Sequence, residues 1–185
     1  MNTYSTQNGL VLHNLMVYYN TDNNLAKMLQ IITGESKISL RIVDWFATNY
    51  AKKYYTLYSF CDDGGVERRF KVYVDYKLKL KAYSKRRFDP FCRWDRISIP
   101  YKNDTFIETT IGQLNFFKWA LENRIVEYIG DHYDEIEKDM NNRNSTSKRK
   151  ELVDNSKTRK KREELSISAT KSIKKEKVEI VVQFN

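Results

Sequence analysis

From Phe70 to Ala82 the chain alternates without interruption. Phe70, Val72, Val74, Tyr76, Leu78, Leu80 and Ala82 take every second position, and Lys71, Tyr73, Asp75, Lys77, Lys79 and Lys81 lie between them. Period two belongs to a half-buried strand and not to a helix. Within the stretch 66–88, this alternating run predicts one long strand, with a core face and an opposite face of lysines around a tyrosine. At about 3.3 Å per residue it would run to roughly 40 Å, long enough to predict a bend or bulge. Asp62-Asp63-Gly64-Gly65 precede it, and the β-prone stretch YYTLYSF (54–60) precedes those. Because Gly and Asp tolerate positive φ, this order predicts a hairpin. After Lys85-Arg86-Arg87 and Phe88-Asp89-Pro90-Phe91 break the pattern, residues 96–101 and 105–109 predict two more strands, the first near an edge because it carries Pro100.

Helical periodicity flanks the strands. The apolar run 14–19 fits helix or strand. Thr21 to Asn24 offer N-cap oxygens, Leu25, Met28, Leu29 and Ile32 follow at helical spacing, and Gly34 supplies the stop. Ser36 or Ser39 can cap a second helix whose stripe is Leu40, Val43, Phe46 or Ala47, and Tyr50, widened by Trp45. Thr110 and Gln113 form a capping box before Leu114, Phe117, Ala120 and Leu121, with Phe116 and Trp119 broadening the apolar face. After a break at Asn123, the stripe continues through Ile125, Ile129, His132 or Tyr133, Ile136 and Met140. The expectation is one α+β domain over residues 1–140, an antiparallel sheet of about four strands with helices packed on one face. Residues 141–177 have too few large apolar side chains to offset the entropy of ordering, and predict a basic mobile arm, helical in parts. Residues 178–185 return to alternation, with Val178, Ile180, Val182 and Phe184 in phase, and predict a fifth strand docking on a sheet edge.

Composition narrows the class. With 185 residues and 41% hydrophobic content, the chain can bury one substantial core. The net charge is +9, yet residues 141–177 hold thirteen Lys or Arg against five Asp or Glu, a net +8. The remainder is nearly neutral, so a polyanion would be held mainly by the arm and by a local patch on the body. Cys61, Cys92, His13 and His132 show no ligand spacing, so neither a zinc site, a disulfide framework nor any cofactor is expected, and the compartment reads as reducing. No apolar run approaches the ~20 residues that span a bilayer, and the N-terminus lacks the regions of a signal peptide. A soluble intracellular protein with no membrane partner is expected.

Polyanion binding is the first candidate chemistry. Lys71, Lys77, Lys79 and Lys81 would share the strand face with Tyr73, and Lys85, Arg86 and Arg87 would follow at its end. Cations would meet phosphates while the tyrosine stacks on a base; the competing reading is a solvated face whose lysines discourage edge pairing. In the arm, Lys148, Arg149 and Lys150, then Arg159, Lys160, Lys161 and Arg162, form a second basic element, in which Lys148-Arg149, ten residues and Lys160-Lys161-Arg162 match a bipartite nuclear import signal. A second candidate is a nuclease-like metal site, since Asp75-Tyr76-Lys77 is a D-x-K triplet preceded by Asp62 and Asp63, and alternation would put Asp75 and Lys77 on one face; a cross-strand ion pair explains them as well. No glycine-rich phosphate loop or nucleophile elbow is present, so no enzyme is expected. A third reading gives Phe116, Phe117 and Trp119 to a subunit contact, against the simpler one that all three are core.

At residues 83–93 (YSKRRFDPFCR), 109–129 (TTIGQLNFFKWALENRIVEYI) and 159–173 (RKKREELSISATKSI), the chain resembles a group of uncharacterised proteins encoded by nucleocytoplasmic large DNA viruses. The resemblance implies a viral origin and carries over no catalytic residue. The expected function is that of a non-catalytic, nucleic-acid-associated accessory or virion protein in the host cytoplasm, nucleus or particle. An assembly protein acting through protein contacts is the alternative, and a metal-dependent nuclease the distant third.

Overall fold

In the computed structural model, which describes residues 7–62, 64–92, 96–101, 105–153 and 174–177, Thr110 is extended and its Oγ1 accepts the amide of Gln113 at 3.2 Å. Helix α6 (Ile111–Glu122) starts where the cap predicts. Every residue from Ile111 to Phe117 is buried, as are Trp119, Ala120 and Leu121. A helix covered on all sides is an interior helix, and the other elements pack around this one. Phe116, Phe117 and Trp119 are core, which removes them as a subunit contact. Gly112 makes one of these contacts possible. A Cβ there would lie 2.8 Å from the carbonyl oxygen of Asp89 and 3.0 Å from that of Arg86, so glycine alone lets the start of α6 lie against the loop at 86–89. Asn115 Nδ2 then donates to the carbonyl of Arg87 at 2.9 Å.

Helices α1 (Gln7–Tyr19) and α2 (Asn24–Thr33) open the chain. Leu15 and Tyr19, one turn apart, are both buried, which decides the ambiguous run 14–19 as helix. The Tyr19 hydroxyl donates to the Leu114 carbonyl at 2.6 Å and ties α1 to α6. Gly34, at φ 81°, closes α2, and Ser39 Oγ accepts the Ile42 amide at 3.4 Å to open α3 (Leu40–Trp45). That helix continues through a π-helical turn (Phe46–Tyr50) into the short α4 (Ala51–Lys53). Its C-terminus is unusual. Thr56 donates its amide to the Ala51 carbonyl at 3.1 Å, the closing bond of a Schellman motif. The left-handed position that glycine ordinarily takes in that motif is held by Tyr55, at φ 49°, a strain of about 1 kcal/mol for a residue with a Cβ.

The predicted hairpin is present. Strand β1 (Leu57–Cys61) pairs antiparallel with β2 (Glu67–Lys71), Leu57 opposite Lys71 and Cys61 opposite Glu67. It begins three residues later than position 54, because Tyr54 to Thr56 finish the preceding helix. Asp62 Oδ1 accepts the amides of Gly64 and Val66 at 3.1 and 3.0 Å. Strands β3 (Arg96–Pro100), β4 (Thr105–Thr110) and β5 (Lys174–Lys177) form a separate antiparallel sheet in that order, with Pro100 on an edge strand. The protein is α+β, its strands divided between two small sheets and not joined in a single one of four.

That division follows from the main correction to the pattern reading. β2 ends at Lys71, and residues Val72–Tyr83 form helix α5 where a long strand was predicted. Phe70 stays on β2, and the six alternating apolar residues from Val72 to Ala82 split into two series at helical spacing. Val72, Tyr76 and Leu80 face the core, whereas Val74, Leu78 and Ala82 are exposed. Strict alternation over this length satisfies a helix with one buried side as well as a strand, and the run is rich in the helix formers Leu, Lys and Ala.

After Arg124, left-handed at φ 55°, come α7 (Ile125–Asp131) and α8 (Tyr133–Val153). Ile125, Ile129, Ile136 and Met140 are buried, as their spacing predicts. The compositional boundary at 140/141 falls inside α8, so the first part of the basic segment, to Val153, is helical. β5 pairs with β4 four residues ahead of the strand expected at 178–185, which lies outside the described residues.

Candidate nucleic-acid interface

The lysine row is dispersed by the change from strand to helix. Lys71 stays on β2, exposed. On α5, Lys77 and Lys81 are one turn apart and exposed, on the same side as Val74 and Leu78, while Lys79 lies roughly 200° from Lys77 around the axis and is half-buried. Tyr73 is half-buried against the core, with Lys52 Nζ 5.7 Å from its ring centroid. Ser84, at φ 66° and ψ 159°, occupies a region nearly exclusive to glycine. It redirects the chain into the 3-10 turn Lys85–Arg87, where Lys85 and Arg86 are exposed and Arg87 is half-buried. The basic corner is thus built from a helix face and a strained turn braced by Asn115 and Gly112.

The D-x-K arrangement does not form. Asp75 and Lys77, two residues apart on a helix, point in nearly opposite directions. Asp75 Oδ1 accepts from the Trp119 indole N–H at 2.6 Å, and Asp62 is engaged in the hairpin turn. Trp119 in turn meets Phe70, Tyr76, Phe88 and Phe116 with ring centroids 5.7–6.3 Å apart. This packing sets the inner face of α5. Beneath it, burial and the neighbouring Asp89 push the Asp44 carboxyl up to about 7, and burial, then Asp44 and Asp89, push the Tyr76 hydroxyl up to about 12. Among the described residues no three His, Cys, Asp or Glu side chains gather closely enough to hold a metal ion.

Pattern reading missed a second cluster. An open cleft of about 720 Å³ lies between α8 and the end of the α3–α4 segment, lined by Tyr50, Lys53, Tyr54, Glu135, Lys138, Asp139, Asn142 and Arg143. Asp139 is its structural centre. Its carboxylate accepts from Lys53 Nζ at 2.5 Å, Trp45 Nε1 at 3.1 Å and the Tyr54 hydroxyl at 3.3 Å. Burial would raise this carboxyl, but those three donors hold it below the ordinary range. The Tyr50 hydroxyl donates to Glu135 at 3.4 Å; burial and that carboxylate push it up to about 12. Arg143 donates to Asn49 Oδ1 at 3.3 Å and sits 5.6 Å over the Trp45 ring. Lys138 and Arg143 pair with no carboxylate among the described residues. The signal in the sequence is Lys52-Lys53-Tyr54-Tyr55, two cations followed by two aromatics, of which the β-prone stretch 54–60 takes the two tyrosines for a strand.

Of the arm's candidates, Lys148, Arg149 and Lys150 fall on the backbone of α8, and Arg159, Lys160, Lys161 and Arg162 lie outside the described residues. No helix among the described residues is long and apolar enough to cross a membrane.

A profile described as "Family of unknown function (DUF7197)" matches residues 3–184. "Uncharacterized protein L507" of Acanthamoeba polyphaga mimivirus is 44% identical over 145 residues, which are 75% of this chain and 55% of the relative. The chain therefore spans just over half the length of the curated relative it matches. The resemblance to giant-virus proteins read from the sequence is borne out by these two matches. No solved structure matches the chain.

Proposed function

This chain belongs to DUF7197, a family of unknown function, and since that membership brings no activity with it, we propose from its own side chains that it is a non-catalytic, nucleic-acid-associated accessory or virion protein. One observation carries the reading. Residues 71–87 hold seven Lys or Arg and a single acid, Asp75, whose carboxylate is taken up by the Trp119 indole. The segment therefore carries a net +6 with its one carboxylate turned inward, a charge that favours contact with phosphates. Lys71, Lys77, Lys81, Lys85 and Arg86 engage the backbone, and the basic segment from residue 141 onward adds a second, longer-range attraction. Its paired basic runs suit import into a nucleus.

Exposed Val74 and Leu78, with 54% and 60% of their surface free, favour a second reading. Two apolar side chains one turn apart among lysines also suit a protein contact in an assembly. Binding titrations separate the two. Replacing Lys77, Lys81, Lys85 and Arg86 together by Ala should weaken DNA or RNA binding by at least ~10-fold at low salt. It should also flatten the dependence of log K on log salt by about 0.7 to 0.9 for each phosphate that the variant no longer engages. If the wild-type protein binds neither DNA nor RNA at low salt, the proposal fails and the assembly reading replaces it.

A further inference from the structure

We infer that Tyr55 is a base-stacking residue at the centre of a track for single-stranded nucleic acid, with Lys138 and Arg143 of the α8 cleft on one side and Lys52 and Lys71 on the other. The inference rests on the nucleic-acid reading above and adds to it the strandedness of the partner and a second place of contact. Tyr55 breaks two rules together. It is 89% exposed, and it holds the left-handed position where glycine would relieve the backbone. Strain kept without any packing gain marks a position where the side chain serves something outside the fold.

Placement supplies the rest. On one side Tyr54, the preceding residue, lines the α8 cleft with Lys138 and Arg143. On the other, the carbonyl of Thr56 accepts the Val72 amide at 3.3 Å, which brings the turn beside Lys71 and Tyr73, and Lys52 leans over the Tyr73 ring. Cations therefore lie on both sides of the turn that carries this exposed aromatic residue, the alternation that a strand of phosphates and bases presents. Within the cleft the cations of Lys53, Lys138 and Arg143 outnumber the carboxylates of Glu135 and Asp139, and Asp139 is paired with Lys53. Arg143, held by Asn49 and stacked on Trp45, is oriented before any ligand arrives, which lowers the entropy lost on binding. The strandedness follows from the ring: a tyrosine standing out from a turn stacks on a base only if that base has left its own stack.

The test is Tyr55→Gly in the full chain, with affinities for a short oligothymidylate, an oligouridylate and a DNA duplex measured by fluorescence anisotropy. Glycine suits the backbone, so this variant should unfold at a higher temperature than wild type while losing roughly 5- to 100-fold in single-strand affinity. Duplex affinity should stay within about twofold, and Tyr55→Phe should retain the single-strand binding that Tyr55→Gly loses. Arg143→Ala should also weaken the single strands more than the duplex. Single-strand affinity unchanged in Tyr55→Gly, alongside binding that the α5 lysine variant does weaken, would overturn this inference and leave the proposed function standing. If wild type binds none of the three probes, both fall.

Discussion

Two helices of equal length, α5 and α6, meet at the Asp75–Trp119 hydrogen bond and could hardly be less alike. α6 is announced by a cap, carries an unmistakable apolar face, and is buried almost entirely. α5 has no side-chain cap, its apolar residues alternate, and one side of it is a solvent face of Val74, Lys77, Leu78 and Lys81. The inner helix is specified locally; the outer one is specified by what it lies against. Trp119 offers α5 an indole N–H for Asp75 and an aromatic surface for Tyr76, and a strand that turns Asp75 and Tyr76 to opposite faces could not use both. The same division separates stability from function. The residues that hold α5 in place point inward, and those proposed to touch a partner point out.

Trp119→Ala should break the comparison most severely. It removes a buried indole and leaves Asp75 without its donor, so a loss of about 3–5 kcal/mol in denaturant titration is expected. Amide exchange should accelerate across residues 72–83 before it does in α6. A loss below about 1 kcal/mol would show that α5 stands by itself.

A smaller effect should come from Asp44, which lies under the inner face of α5 near Tyr76 and Asp89. Its folded carboxyl sits near 7 against an ordinary value of 3.8, so the folded state holds the proton more tightly than the unfolded one. The stabilisation is complete below about pH 4 and is lost as pH rises through 7. Because Asp44 is not wholly cut off from water, the expected fall between pH 4 and 8 is roughly 1–3 kcal/mol. Asp62 and Asp139, both held below the ordinary range, act in the opposite sense and only at lower pH. Asp44→Asn should therefore flatten the profile between pH 4 and 7; an unchanged slope there would assign it to other groups.

The outer face should respond least. Leu78→Ala removes an exposed side chain from α5 and should change stability by no more than about 0.5 kcal/mol, a measurement that contrasts directly with Trp119→Ala. A loss above about 1.5 kcal/mol would mean that Leu78 is covered in solution, and would favour the assembly reading.

Legibility along the chain followed how local the deciding interaction is. Ser39 before Leu40, Thr110 before Ile111, Gly34 after Thr33 and Asp62 within its turn act on neighbours a few residues away. Hence α2, α3, α6, the hairpin and the strands at 96–100 and 105–110 were readable from pattern alone. The buried stripe Ile125, Ile129, Ile136 and Met140 was readable for the same reason, since a single helical face dictates it. Residues 72–83 were not, because alternation is consistent with both periods and the choice rests on Trp119, forty-four positions away. The proposed contacts divide in the same way. That the region from Lys71 to Arg87 is basic is a property of composition, visible at once. That Asp75 is withdrawn from it, that Lys79 leaves the row, and that Tyr55 comes to stand between Lys71 and the cleft of Lys138 and Arg143 was decided only when helices distant in sequence packed together. Packing fixes side-chain direction, and direction determines which charges and rings a partner can reach.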